Sequence, residues 1–180
     1  SRGELLFPAF RQVRDAQGKA VHYKGHWAPV DEFVTIIGRW NAEASLSWRM
    51  GNAQQIDPST SSRGLNENAL TQLADGRIAA ICRGDNSMFP DKPGYKWLCF
   101  SQNNGLDWSS PLPLPATGGE PIESAGNGSA LFRSTRNGRL YWLGNLAIHG
   151  ERPHGNFPRA PLCLVEVQEQ PFALKRESIF

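Results

Sequence analysis

The sequence predicts an all-β protein, a β-propeller of which about three blades of four antiparallel strands are represented. Composition is the first reason. Eighteen Gly, 13 Pro and six Trp in 180 residues point to many turns and aromatic packing, as in all-β architectures. The second reason is a recurring unit. "ALTQLADGRIAAIC" (69–82) and "ALFRSTRNGRLYWLG" (130–144) each run Ala-Leu, a polar turn ending in Asp-Gly-Arg or Asn-Gly-Arg, then an apolar strand. A fixed repeat of this kind marks arrays and propellers, in which radial sheets keep strand edges short and protected. The third reason is the scarcity of helical periodicity. Only Asn41–Met50 has helical spacing, and its "SLSWRM" reads equally well as a strand.

Taken in order, the first unit spans about 5–60 and holds a fainter copy of the repeat, "FRQVRDAQGKAVHY" (10–23), with its turn at Gly18. The second spans 63–115: a strand, the Asp75-Gly76 turn, a second strand, then "YKWLCFS" (95–101). An Asp-Gly between apolar runs is a strong hairpin signal. The third spans 120–180, with a turn at Gly138 and a later strand in "APLCLVEV" (160–167). The turn glycines stand 58 and 62 residues apart. Propellers have about four to eight blades. Residues 1–180 are therefore read as part of a single propeller domain, about half of one. The opening Ser1-Arg2-Gly3, without Met, fits a segment of a longer chain.

Charge is nearly balanced, 19 Lys and Arg against 17 Asp and Glu, which argues against a nucleic-acid partner. No apolar run approaches the roughly 20 residues needed to span a bilayer, and no signal-peptide pattern opens the sequence. Cys82, Cys99 and Cys163 each lie inside an apolar run, an odd count without metal-ligand spacing, so buried free thiols are expected. The histidines His22, His26, His149 and His154 form no HExxH pattern. Neither a metal site nor a cofactor is expected.

Directly after "YKWLCF" comes "SQNNGLDW" (101–108), which fits Ser-x-Asp/Asn-x-Gly-x-x-Trp. The residue types suit a tight turn between outer strands. Ser101 and Asn103 can bond loop backbone, Gly105 can take a positive φ, and Trp108 can pack beneath with one partner for its indole N–H. The motif resembles the Asp-box of sialidases and their relatives, with Asn103 in place of the more usual Asp. Together with the repeat, the resemblance is to the six-bladed propellers of the sialidase (neuraminidase) superfamily, and it covers about Glu4 to Phe180. It is strongest over 63–108, where the order is Glu, strand, Asp-Gly, strand, Arg, loop, strand, Asp-box.

This resemblance implies an exo-glycoside hydrolase that releases terminal sialic acid or a related acidic sugar from glycoconjugates, in a secreted or periplasmic setting. Such an enzyme holds the substrate carboxylate with three arginines, whose planar forks bind carboxylates in bidentate fashion. Its nucleophile is a tyrosine, which a glutamate must deprotonate because a free phenol has a pKa of about 10. By resemblance, Glu67 is that glutamate and Arg83 is one of the arginines. A second arginine is expected at Arg159, before a strand, with Arg152 in the preceding loop as its competitor. Arg63 and Asp85 are expected as pocket neighbours. Tyr95 reads as structural.

Departures from the family are specific. The stretch before residue 24 lacks an Arg-Ile-Pro signature, Asp31 in "PVDEFV" is not assignable as the acid, and Tyr23, Tyr95 and Tyr141 do not fit the nucleophile's position. Two alternatives therefore stand: a non-catalytic propeller that binds glycan or protein, and a hydrolase for a different sugar. On the plainest reading Glu67 and Arg83 form a surface salt bridge worth under about 1 kcal/mol. A half propeller would also expose blade edges, which implies association with another chain to cover them.

Overall fold

A computed structural model describes residues 3–180. Among the described residues, eleven strands form three antiparallel sheets, each a meander in chain order. The first sheet holds β1 (Glu4–Gln12), β2 (Asp31–Trp40) and β3 (Leu46–Met50). The second holds β4 (Asn66–Gln72), β5 (Ile78–Arg83), β6 (Lys96–Ser101) and the short β7 (Leu112–Pro113). The third holds β8 (Ala130–Arg133), β9 (Leu140–Asn145), β10 (Leu162–Glu169) and β11 (Phe172–Leu174). None of the three closes into a barrel. The first sheet thus has three strands where the repeat predicts four. Its Gly18 turn does not join two strands of the sheet: it closes a small loop bridged by Arg14 and Ala20, and β1 pairs with β2 instead. Residues 41–45 form a turn and Leu46–Met50 a strand, so the one helical candidate is extended. No helix of the described residues is long and apolar enough to cross a membrane.

The middle sheet is covered on both faces, which explains why β5 reads "IAAICR" without alternation. Ala79 and Ile81 face the third sheet, in a core with Leu98, Leu140, Trp142 and Val165. Ala80 and Cys82 face the first sheet, with Phe33, Leu65 and Trp97. The three cysteines are free and buried. The loop after β6 locks the first sheet to the second. Ser101 Oγ accepts from the Gly105 N–H at 2.8 Å, and Asn103 Oδ1 accepts from the Asp107 N–H at 2.9 Å. Trp108 packs against Phe33 in a tilted arrangement, ring centres 4.8 Å apart, and donates its indole N–H to Thr35 Oγ1 at 3.2 Å. Its partner is therefore on the neighbouring sheet.

The outer faces of the stack remain apolar and open. Leu5, Phe7, Trp48 and Met50 are exposed on the first sheet, and Phe132 and Leu162 on the third. The first strands of the sheets, β1, β4 and β8, lie side by side.

Candidate functional site

The site lies where one end of each strand meets the loops: Asp31 opens β2, Asn66 opens β4, Arg83 closes β5 and Lys96 opens β6. Its centre is a β-bulge. Asn66 pairs with Arg83 and Ala69 with Ile81, so Glu67 and Asn68 together oppose Cys82. A bulge of this kind re-aims a side chain. Glu67 adopts φ +43°, a left-handed conformation for a residue with a Cβ, and such strain is found where function holds a residue in place. Its carboxylate accepts from Arg83 Nη1 at 2.6 Å, while Arg83 Nη2 donates to Asn156 Oδ1 at 2.6 Å. Arg83 is only 4 % exposed, whereas the Glu67 side chain is 43 % exposed. Arg83 Nε is buried with no acceptor among the described residues. Burial pushes the Arg83 pKa below its usual value, the nearby Arg63 charge adds to this, and Glu67 opposes it.

A second guanidinium comes from the segment before β4. Gly64 bridges in parallel to Asp31, whose N–H donates to the Arg63 carbonyl at 2.9 Å and whose carbonyl accepts from the Leu65 N–H at 3.0 Å. Gly64 is required here. Its φ is +67°, and a Cβ would lie 1.9 Å from the Asp31 carbonyl oxygen. This zipper sets Arg63 Nη2 3.9 Å from Asp31 Oδ2, which also accepts from Asn66 Nδ2 at 2.9 Å. Arg63 Nε, like that of Arg83, is buried without an acceptor among the described residues. Burial raises the Asp31 pKa above the ordinary carboxyl range, the Asn66 hydrogen bond and the Arg63 charge working against it.

Asp85 braces the loops beneath. It is buried and accepts from the hydroxyls of Ser62 and, at 2.6 Å, Ser87; Ser87 in turn meets His26 Nε2 at 3.1 Å. Asn86 clamps the loop that carries Asn156: it donates to the Pro153 carbonyl at 2.8 Å and accepts from the Gly155 N–H at 2.8 Å. Lys96 pairs with Arg83 across β5 and β6. Its buried Nζ donates to the Ala125 carbonyl at 2.8 Å, to Asn127 Oδ1 at 3.0 Å and to the Asn127 carbonyl. Burial, with Arg83 adding to it, lowers the Lys96 pKa to about 7. Asn127 opens the sequon Asn127-Gly128-Ser129, yet its amide nitrogen is committed to Asn145 at 2.7 Å and the residue is buried. The folded chain cannot present it for glycosylation.

Three cavities open at this end, one of about 460 Å³ lined by Phe10, Glu67, Asn68 and Gly128 among others, and two that share Trp27 and Arg63. The larger of these two, about 850 Å³, is lined by Phe10, Arg11, Trp27, Asp31, Glu32 and Arg63 among others. The smaller, about 220 Å³, is lined by His26, Trp27, Arg63, Asp85, Ser87, His154, Asn156 and Phe157 among others. Trp27 and Arg63 border both, with the guanidinium over the indole at 5.3 Å.

The structure therefore brings Glu67, Arg83, Arg63 and Asp85 to one region. Arg159 is exposed, and the residue of its stretch that bonds Arg83 is Asn156. Asn145 holds the Arg159 carbonyl at 2.8 Å, which uses the backbone of that residue. Arg152 is exposed and donates to the Asp91 carbonyl at 2.6 Å. The sequence alone does not mark Asp31, Asn156, Lys96 or Trp27 as site residues. Only "SRGLN" gives a hint, a Gly beside a polar run that demands a close backbone approach.

No family model matches this chain, and no curated protein sequence matches it at significant similarity. A crystal structure of a protein of unknown function from Dyadobacter fermentans is similar in fold, with a TM-score of 0.55 at 14 % identity over 93 % of this chain. The matched region is 35 % of that protein, so this chain spans about a third of its length.

Proposed function

We propose that this chain carries the carboxylate-recognising part of a sialidase-like β-propeller, an exo-glycoside hydrolase that releases a terminal sialic acid or related acidic sugar. One observation carries the reading: Arg63 and Arg83 each bury an Nε donor without an acceptor among the described residues, in one region with Glu67 and Asp31. Buried donors are nearly always satisfied, and a planar guanidinium fork suits a carboxylate; on this reading the ligand competes with Glu67 and Asn156, which hold the terminal nitrogens of Arg83. Asp31, whose carboxyl pKa is raised by burial, suits a general acid. Glu67 suits the base that activates a phenol. Tyr23 packs on Phe89, Tyr95 on Trp97 and Tyr141 on Phe132, so on this reading the nucleophile comes from outside these residues. The meander sheets with adjacent first strands, and their open apolar outer faces, support a propeller in which further sheets stack on both sides.

The second reading, a propeller that binds an acidic sugar without cleaving it, is favoured by the engagement of Glu67 with Arg83 in place of a tyrosine. Hydrolysis of a fluorogenic α-sialoside by the longest obtainable form of the protein, with Glu67→Gln and Arg83→Ala as controls, separates the two. The hydrolase reading expects turnover that falls at least about a hundredfold in both variants. Binding of the sugar without turnover selects the second reading.

A further inference from the structure

We propose that Trp27 is the stacking platform of an oligosaccharide subsite, so that the ligand of this end of the molecule is a glycan of at least two sugar units. The proposal deepens the acidic-sugar reading and rests on it for the identity of one unit.

The observation that prompts it is the exposure of two large aromatics beside a buried polar floor. Trp27 is 78 % and Phe157 69 % exposed, and both line the smaller cavity. Scattered surface aromatics need no explanation. Here, however, both flank one concavity whose base holds the buried groups Asp85 and His26. An apolar ring face above a few fixed polar groups is how small-molecule sites recognise ligands. A pyranose matches it chemically, since its axial C–H face is apolar while its rim of hydroxyls needs donors and acceptors. Asp85, Ser87, His154 and Asn156 supply these in this cavity. Two neighbours flank the Trp27 ring: Arg63 lies over it at 5.3 Å and the His26 ring centre is 5.6 Å away.

The volumes are consistent with a ligand longer than one unit. The cavity of about 220 Å³ falls below the roughly 300–1,000 Å³ of pockets for drug-sized ligands, and suits a single ring. The neighbouring cavity of about 850 Å³ has room for further units. Trp27 and Arg63 line both cavities, so a glycan occupying the two would pass beside the indole.

The test is calorimetric titration of the intact chain and of Trp27→Ala with sialyllactose, lactose and free N-acetylneuraminic acid. Trp27 is so exposed that its removal leaves the core intact. The proposal expects sialyllactose to bind at least about tenfold more tightly than free N-acetylneuraminic acid, and Trp27→Ala to lose that advantage. Equal affinities of the parent and Trp27→Ala for sialyllactose overturn it. Lactose bound in a Trp27-dependent way, with no preference for the sialylated ligand, supports the platform and defeats the acidic-sugar reading. Binding of none of the three ligands by the parent overturns both.

Discussion

Arg83 donates to the Glu67 carboxylate at 2.6 Å, yet the residue paired with Arg83 across the hairpin is Asn66. The contact exists because the bulge at Glu67 and Asn68 turns one side chain out of register. An ordinary cross-strand ion pair would need no such distortion, and its worth at a surface is under about 1 kcal/mol. Here a buried guanidinium meets a strained glutamate.

The strain has a measurable size. Glycine takes φ +43° without the Cβ clash that every other residue meets. Glu67→Gly is therefore expected to be more stable to urea than Glu67→Ala, by about 1 kcal/mol. Both variants lose the pair with Arg83, so that loss cancels in the comparison. Equal midpoints would mean that the backbone at 67 is relaxed.

Gly64 supplies a sharper test of how the site is assembled. A Cβ there would meet the Asp31 carbonyl at 1.9 Å, so Gly64→Ala must push β2 away from Arg63. The expected loss is about 2–4 kcal/mol. Gly76→Ala shares the positive φ but meets no atom within 4 Å, and is expected to cost about 1 kcal/mol. Denaturant curves for the two variants check the difference.

Lys96 predicts a pH dependence. Its folded pKa of about 7 lies below the ordinary 10.5, so between these values the unfolded chain holds more protons than the folded one. Stability from this group therefore rises with pH across that window. Lys96→Met removes the rise and leaves the Ala125 and Asn127 oxygens without their donor, at a cost of about 2–3 kcal/mol at neutral pH. Urea unfolding of both proteins at pH 7 and pH 9 measures the slope.

Asp31 has the opposite sign. Its raised carboxyl pKa gives stability that is complete below the ordinary 3.8 and is lost as pH rises through the folded value. Asp31→Asn keeps an acceptor for Asn66 and removes the loss, so its stability relative to the parent should increase with pH over that interval. In a hydrolytically active form, the same change should lower turnover about 10²–10⁴-fold. Parallel pH–stability curves for parent and variant would show that burial does not govern this carboxyl.

Much of the fold is legible locally. The Asp75-Gly76 and Asn137-Gly138 turns join β4 to β5 and β8 to β9, and the short-range pattern of turn and apolar run suffices for that. Gly18 carries a similar signal, but the strand partner of β1 lies beyond an excursion of residues 13–30, which no local pattern encodes. The proximity of Glu67 and Arg83 is legible because they end a single hairpin. Asp31 and Arg63 come together through a parallel bridge between separate segments, and Asn156 reaches Arg83 from 73 positions away. In the sequence an arginine before a strand, Arg159, is better placed than an asparagine in a Pro- and Gly-rich loop. The Asn86 clamp that fixes that loop is visible only in three dimensions.

If the buried Arg63 and Arg83 donors receive a sugar carboxylate, the charge of that carboxylate must matter. Binding of N-acetylneuraminic acid is therefore to be compared with binding of its methyl ester, which keeps the shape and removes the charge. The ester is expected to bind at least about tenfold more weakly, corresponding to about 1.4 kcal/mol or more, with the preference abolished in Arg83→Ala. Equal binding of acid and ester, or a preference that survives Arg83→Ala, would mean that these guanidinium groups do not recognise the acid.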